Sequence, residues 1–245
     1  MHKIKFLAEV YDKSGQTHTL EQNVSFKKMT DQGALLGSLL SSLQLRGFFD
    51  SANLGSPIKN SLPFPLLTYP FMDFFESHDI SDFLLIEFGS GNSTLYFEKK
   101  FKKVISFETN TDWHQKIKLE LKNTEYHLIE PLDLEEGNYE INLKNEKIFA
   151  LIDAACNRYK ITKNLLKKVK PNYIILDNAE WYRNTANLIV SEGYFEVPFW
   201  GYKNTEHWES CTTFFIRLKD IELLQNNNIM PPPLSRKFIS TWDQA

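Results

Sequence analysis

Between about residue 82 and residue 217, short apolar runs alternate with stretches whose apolar residues recur at helical spacing. That alternation predicts strand–helix crossover units stacked into a mostly parallel sheet. Five runs read as strands: FLLIEF (83–88), KVISFE (103–108), EYHLI (125–129), IFALID (148–153) and YIILDN (173–178). Most are continuously apolar, as strands covered on both faces must be. Between them Trp113, Ile117 and Leu121 recur every four residues, and Ile161, Leu165, Leu166 and Val169 form a second stripe; both are predicted to face the sheet. A third helix, from about Tyr182 to Glu192, carries Ala186, Ile189 and Val190 on one side and ends at Gly193, placed as a left-handed cap. FEVPFWGY and CTTFFIRL, separated by the polar stretch KNTEHWES, predict a closing antiparallel strand pair joined by a long loop.

Residues 1 to about 80 lack this alternation. KIKFLAEVY reads as a strand and ALLGSLLSSLQLRGFF as a helix despite Gly33 and Gly37. The Pro-rich SLPFPLLTYPFMDFF enters a helix near Tyr69, where Pro70 suits the first turn. The organisation expected is an N-terminal appendage or lid over 1–65, an α/β domain over 66–220 and a tail over 221–245. The tail is marked by Asn226-Asn227-Asn228 and Pro231-Pro232-Pro233.

Composition narrows the classes of partner. With 42% apolar and 24% charged residues among 245, the chain can bury a sizeable core, which excludes a disordered chain or a fibre. Lys and Arg number 28 against 31 Asp and Glu, a net charge of −3, so no overall basic field gathers nucleic acid or an anionic membrane. The longest apolar stretch, Ser61 to Phe75, holds Pro63, Pro65 and Pro70 and falls short of the roughly 20 residues that span a bilayer. Glu9 and Asp12 interrupt any secretory leader, so a cytoplasmic location is expected. Cys156 and Cys211 are too few for a disulfide framework, and the six histidines lack the spacing of a zinc site.

The segment IEFGSGNSTLYFEKKFKKVISFE carries the chemistry. A strand ends at Phe88, Gly89 and Gly91 make a turn, and a helix begins near Ser93 or Thr94, whose side chains suit capping. A loop without Cβ atoms lets a ligand approach the backbone, and a helix start attracts an anionic group. Glu108 closes the next strand, where an acid accepts hydrogen bonds from both hydroxyls of a ribose. A nucleoside ligand is implied. Dinucleotide binding is the lesser reading, because the third glycine it needs is Thr94 here. In an open α/β sheet the carboxyl ends of strands line the ligand crevice, so Asp153, Asp177 and Asn178 are expected to converge beside Gly89. Three oxygens of this kind suit Mg²⁺, which keeps open positions for the hydroxyl oxygens of a substrate.

These residues resemble the class I S-adenosylmethionine-dependent methyltransferases, over about residues 66 to 217. Glu87-Phe88-Gly89-Ser90-Gly91 looks like the first motif of that family and Glu108 like its ribose-binding acid. The resemblance implies a Rossmann-like seven-stranded, mostly parallel sheet of order 3-2-1-4-5-7-6 with the last strand antiparallel. It implies S-adenosyl-L-methionine as cofactor, held by Glu87, Gly89, Ser90, Gly91, Ser93, Thr94, Glu108 and Asp153. Asp153, Asp177 and Asn178 resemble in part the metal ligands of catechol and caffeoyl-CoA O-methyltransferases, with Cys156 standing where the catechol enzymes carry a lysine base. The resulting expectation is methyl transfer to oxygen of a small molecule or glycan, with Asp153 and Asp177 as the catalytic acids and Mg²⁺ as a second cofactor. A noncatalytic nucleoside-binding module and an NAD-binding oxidoreductase are the alternatives. His207 in the last loop and Trp181 and Tyr182 after Asn178 are further candidates for contact with substrate.

Overall fold

A computed structural model describes residues 2–11, 17–26, 29–141, 143 and 146–223. The chain divides into two compact units, Met1–Gln44 and Leu45–Ala245. In the first, β1 (His2–Tyr11) pairs antiparallel with β2 (Thr17–Phe26), with Tyr11 opposite Thr17, and α1 (Met29–Leu45) follows.

The second unit opens with α2 (Phe48–Leu54), a short hairpin of β3 (Ile58–Lys59) and β4 (Leu62–Pro63), and α3 (Tyr69–Phe75), which has Pro70 in its first turn. The crossover units come next: β5 (Phe83–Phe88), α4 (Asn92–Phe97), β6 (Lys103–Glu108), α5 (Thr111–Lys118), β7 (Thr124–Leu128), α6 (Pro131–Glu136), β8 (Lys147–Ile152), α7 (Arg158–Lys168), β9 (Tyr173–Leu176) and α8 (Arg183–Ser191). The antiparallel pair β10 (Tyr194–Gly201) and β11 (Ser210–Arg217) and a 3₁₀ turn at Leu218–Leu223 close the described chain.

The sheet runs β10-β11-β9-β8-β5-β6-β7. Neighbours from β9 to β7 are parallel, and β11 is antiparallel to both β9 and β10. This is the order expected from the sequence, read from the other edge. Alternate residues of each apolar strand feed two cores, as a period of two requires. On one face Leu84, Ile86 and Phe88 join Ile105, Ala150, Ile152 and Ile174 beneath Ile161, Leu165, Ala186 and Ile189 of α7 and α8. On the other, Phe83, Leu85, Phe149, Leu151 and Ile175 meet Phe71, Met72 and Phe75 of α3 and Phe97 of α4. Each fully buried side chain of this size stabilises the fold by about 1.5–3 kcal/mol.

The departures from expectation have local causes. β9 stops at Leu176 because Asn178 takes φ of +50°, so Asp177 and Asn178 form a turn and not the end of a strand. α5 ends at Lys118, before Leu121; Ile117 is buried, but Trp113 points at the loop after β5 and not at the sheet. On α8, Ala186 and Ile189 are buried while Val190 is exposed. Gly193 does take the left-handed conformation, φ +90°. The expected tail lies outside the described residues from 224 onward. Among the described residues no helix is long and apolar enough to cross a membrane.

Candidate functional site

The loop from β5 to α4 is shaped by one glycine. Gly89 has φ of +91°, and a Cβ built on it would stand 2.7 Å from the Asp153 carbonyl oxygen and 2.8 Å from the Ala154 amide nitrogen. Only glycine lets the turn lie against the end of β8 in this way. Gly91 differs, being extended, and a Cβ there would meet only the Trp113 indole at 3.7 Å. Trp113 is fixed in that place by its Nε1, which donates to the Ser90 carbonyl at 2.8 Å. Asn92, at the start of α4, donates to the Pro57 carbonyl (2.5 Å) and to Ser56 Oγ (3.1 Å), which sets the strand-free segment before β3 beside the glycine loop.

Beneath the loop lies Glu87, fully buried in β5. Its carboxylate accepts from Ser93 Oγ (2.6 Å), Thr94 Oγ1 (2.6 Å) and Ser106 Oγ (2.7 Å). Thr94 Oγ1 also accepts from the Gly91 amide at 2.9 Å. Loss of water pushes the Glu87 carboxyl up to about 7, against the three hydroxyl donors that favour the ion. Glu87, Ser93 and Thr94 therefore brace the loop from inside.

Glu108 stands at the carboxyl end of β6, 7% exposed and directed at the loop. Its Oε2 accepts from the Ser90 amide (2.9 Å) and Ser90 Oγ (2.6 Å), and its Oε1 from the Thr109 and Asn110 amides (both 2.8 Å). Ser90 Oγ is shared with the Tyr126 hydroxyl at 2.6 Å. Gly89, Ser90, Gly91 and Glu108 are thus brought together, and the rim is completed by Tyr126, which the sequence did not mark, and by Trp113, which the sequence assigned to helix packing.

The acids after β8 and β9 meet two basic side chains. Arg158, at the start of α7, folds back so that Nη1 donates to the Asp177 carbonyl (2.6 Å), Nη2 to Asp153 Oδ1 (2.9 Å) and Nε to the Ala154 carbonyl (2.9 Å). Asp153 accepts through Oδ1 alone, and its side chain keeps 30% of its exposure. Burial, and next the charge of Asp177, raise its pKa against the pull of Arg158 and Lys203. Asp177 is 2% exposed; Oδ2 pairs with Lys203 Nζ at 2.6 Å and Oδ1 accepts from Thr212 Oγ1 at 2.8 Å. The Asn178 amide, oriented to satisfy both partners, donates to Asp177 Oδ2 (2.8 Å) and accepts from Lys203 Nζ (3.1 Å). Lys203 lies in the β10–β11 loop and is 1% exposed.

This arrangement does not fit Mg²⁺ at Asp153, Asp177 and Asn178. Such an ion needs near-octahedral oxygen ligands at 2.0–2.1 Å. Here both Asp177 oxygens and the Asn178 oxygen are already held by Lys203 and Thr212, and one Asp153 oxygen by Arg158. Among the described residues no group of three or more His, Cys, Asp or Glu side chains is placed to hold a metal. Cys156 is a thiol raised in pKa by burial, so it supplies no thiolate base. His207 is exposed and packs edge-on to Trp208. Trp181 is exposed, while Tyr182 lies under the Arg158 guanidinium at 4.3 Å.

No family model and no curated protein matches the sequence. Solved structures do match in fold. The O-methyltransferase TomG from Streptomyces achromogenes, involved in tomaymycin synthesis and solved with S-adenosylmethionine, aligns with a TM-score of 0.50 at 12% identity, over 74% of this chain and 89% of that one. The chain has the fold of a class I methyltransferase. Cofactor-bound Rv0187 from MTB (TM-score 0.48, 13% identity, 79% and 99% covered) and a precorrin-6y C5,15-methyltransferase from Geobacter metallireducens GS-15 (0.46, 13%, 64% and 94%) also align. On the methyltransferase fold of this chain, Gly89, Glu108, Asp153 and Asp177 all stand at the carboxyl ends of β5, β6, β8 and β9, the ligand side of an open parallel sheet. Lys203 escaped the sequence reading, its signal a lysine directly after an aromatic strand, and Arg158, which belongs to the run Asp153-Ala-Ala-Cys-Asn-Arg158-Tyr159, carried no role there.

Proposed function

We propose that the protein is an S-adenosylmethionine-dependent methyltransferase acting on a hydroxyl of a small molecule or glycan. The observation that carries this reading is the Gly89 turn wedged against Asp153 with the Glu108 carboxylate facing it from the neighbouring strand. When bound, the cofactor supplies a methyl group activated on a sulfonium, so the chain has only to align, dehydrate and manage one proton. Gly89, Ser90 and Gly91 admit the amino-acid end to the backbone. Glu108 accepts one ribose hydroxyl: its four acceptor positions are filled by Ser90, Thr109 and Asn110, and Ser90 Oγ turns to Tyr126 to release one. Asp153 retains an oxygen without a hydrogen-bond partner and a raised pKa, properties of a base for the acceptor hydroxyl. Asp177 orients the site through Lys203 and Thr212 and does not touch the acceptor.

Calorimetric titration tests the assignment. S-adenosylhomocysteine is expected to bind stoichiometrically and NAD not at all; preferential binding of NAD would falsify it. The packing of Thr94, buried where a dinucleotide fold carries glycine, supports that order of affinity. Incubation with methyl-labelled cofactor and a panel of hydroxyl acceptors then separates an enzyme from a nucleoside-binding module, since the module transfers no label.

A further inference from the structure

We propose that Lys203 is the resident cation of this site, a charge carried by the chain in the position where the acids after β8 and β9 would otherwise gather a divalent ion. The inference rests on the methyltransferase reading only for the part Lys203 plays in turnover. Its ammonium has two of the three expected metal ligands as partners, Asp177 Oδ2 at 2.6 Å and the Asn178 amide oxygen at 3.1 Å. The side chain is 1% exposed and that of Asp177 3%, so the pair is shielded from water and salt. A buried ammonium is retained only with partners of this kind. The remaining Asp177 oxygen is closed by Thr212 Oγ1, which itself accepts from the Thr68 amide at 3.0 Å. Next to Lys203, Asn204 accepts from the Tyr69 hydroxyl and donates to the Ile58 carbonyl at 3.1 Å, so the loop that delivers the ammonium is anchored from the opposite side. The third expected ligand, Asp153, faces the Arg158 guanidinium, and a divalent ion added between Lys203 and Arg158 would meet two positive groups. Lys203 is therefore a positioning residue: it holds Asp177 and Asn178 as a metal would hold them and leaves Asp153 free to face the acceptor.

Manganese provides the test, because its bound form loses the six-line electron paramagnetic resonance signal of the free ion. The full-length wild-type protein is expected to leave that signal undiminished at millimolar Mn²⁺. Stoichiometric binding that Asp177→Asn abolishes overturns the proposal. Lys203→Ala empties the position, and the folded variant is expected to take up Mn²⁺ and to regain thermal stability with it, a response a purely structural lysine would not produce. A folded K203A chain that ignores Mn²⁺ also overturns the proposal; if that variant does not fold, the wild-type measurement decides alone. S-adenosylhomocysteine titrated into the same wild-type sample keeps the two readings apart: its failure to bind sinks the methyltransferase assignment and leaves the manganese result standing.

Discussion

Glu87 and Glu108 are both glutamates at the loop after β5, yet burial gives them different work. Glu87 has no exposure and only hydroxyl donors, so desolvation wins and its pKa rises from 4.5 to about 7. Between those values the folded chain keeps a proton that the unfolded chain has lost. Stability therefore falls as pH rises from about 4.5 to about 7 and levels off above, by at most about 3 kcal/mol for this group. Urea unfolding of the wild type and of Glu87→Gln across that range should give a descending curve for the first and a flatter one for the second; parallel curves would refute the buried acid as the cause. Lys203 belongs to the same scale. Its partners at Asp177 and Asn178 were legible as strand-end oxygens, but nothing in the polar run KNTEHWES distinguishes a lysine in solvent from one folded back over β9. The pattern of acids therefore read as a place for a metal, and only the loop path corrects it.

At the level of elements, the apolar runs of β5 and β6 were read to the residue because both faces of each strand are covered and the flanking residues are polar. β9 was read too long, since Asp177 and Asn178 continue the run in sequence while the turn leaves the sheet. The glycine loop was legible as a motif, but the distinct tasks of its two glycines were not. Gly89 touches the backbone of the β8–α7 connection, whereas Gly91 is extended and meets only a side chain. Gly89→Ala is accordingly expected to cost about 2–4 kcal/mol through left-handed strain and overpacking. Gly91→Ala should stay within about 0.5 kcal/mol of wild type in denaturant unfolding and yet weaken S-adenosylhomocysteine binding at least several-fold by filling the approach beside Trp113. Equal stability losses in the two variants would contradict this division.

At the scale of the whole molecule, the second unit carries two cores of its own, whose buried residues run from Phe64 to Phe215 among those described. A chain beginning at Leu45 is expected to unfold cooperatively, with a thermal midpoint within a few degrees of full length, as followed by circular dichroism; a broad, uncooperative melt would show that the first unit is needed for folding. The alternation of strands and helices made a mostly parallel sheet legible, whereas the seven-stranded order came only from the resemblance of the glycine-loop segment to class I methyltransferases. The start of the second unit was not legible, since α2 and the β3–β4 hairpin are too short to leave a periodic signal. That order also dictates a timetable. Among the described residues β11 is the last strand in the chain, but its seat is in the interior, between β10 and β9. Until the ribosome has released Ser210–Arg217, the nascent chain presents the apolar strand β9 as an unpaired edge, and Asp177 waits without the threonine that will cap it. Thr68 and Tyr69, made far earlier, wait for Thr212 and for Asn204 in the loop before it, so the Asp177 side of the site is closed only when β11 joins the sheet.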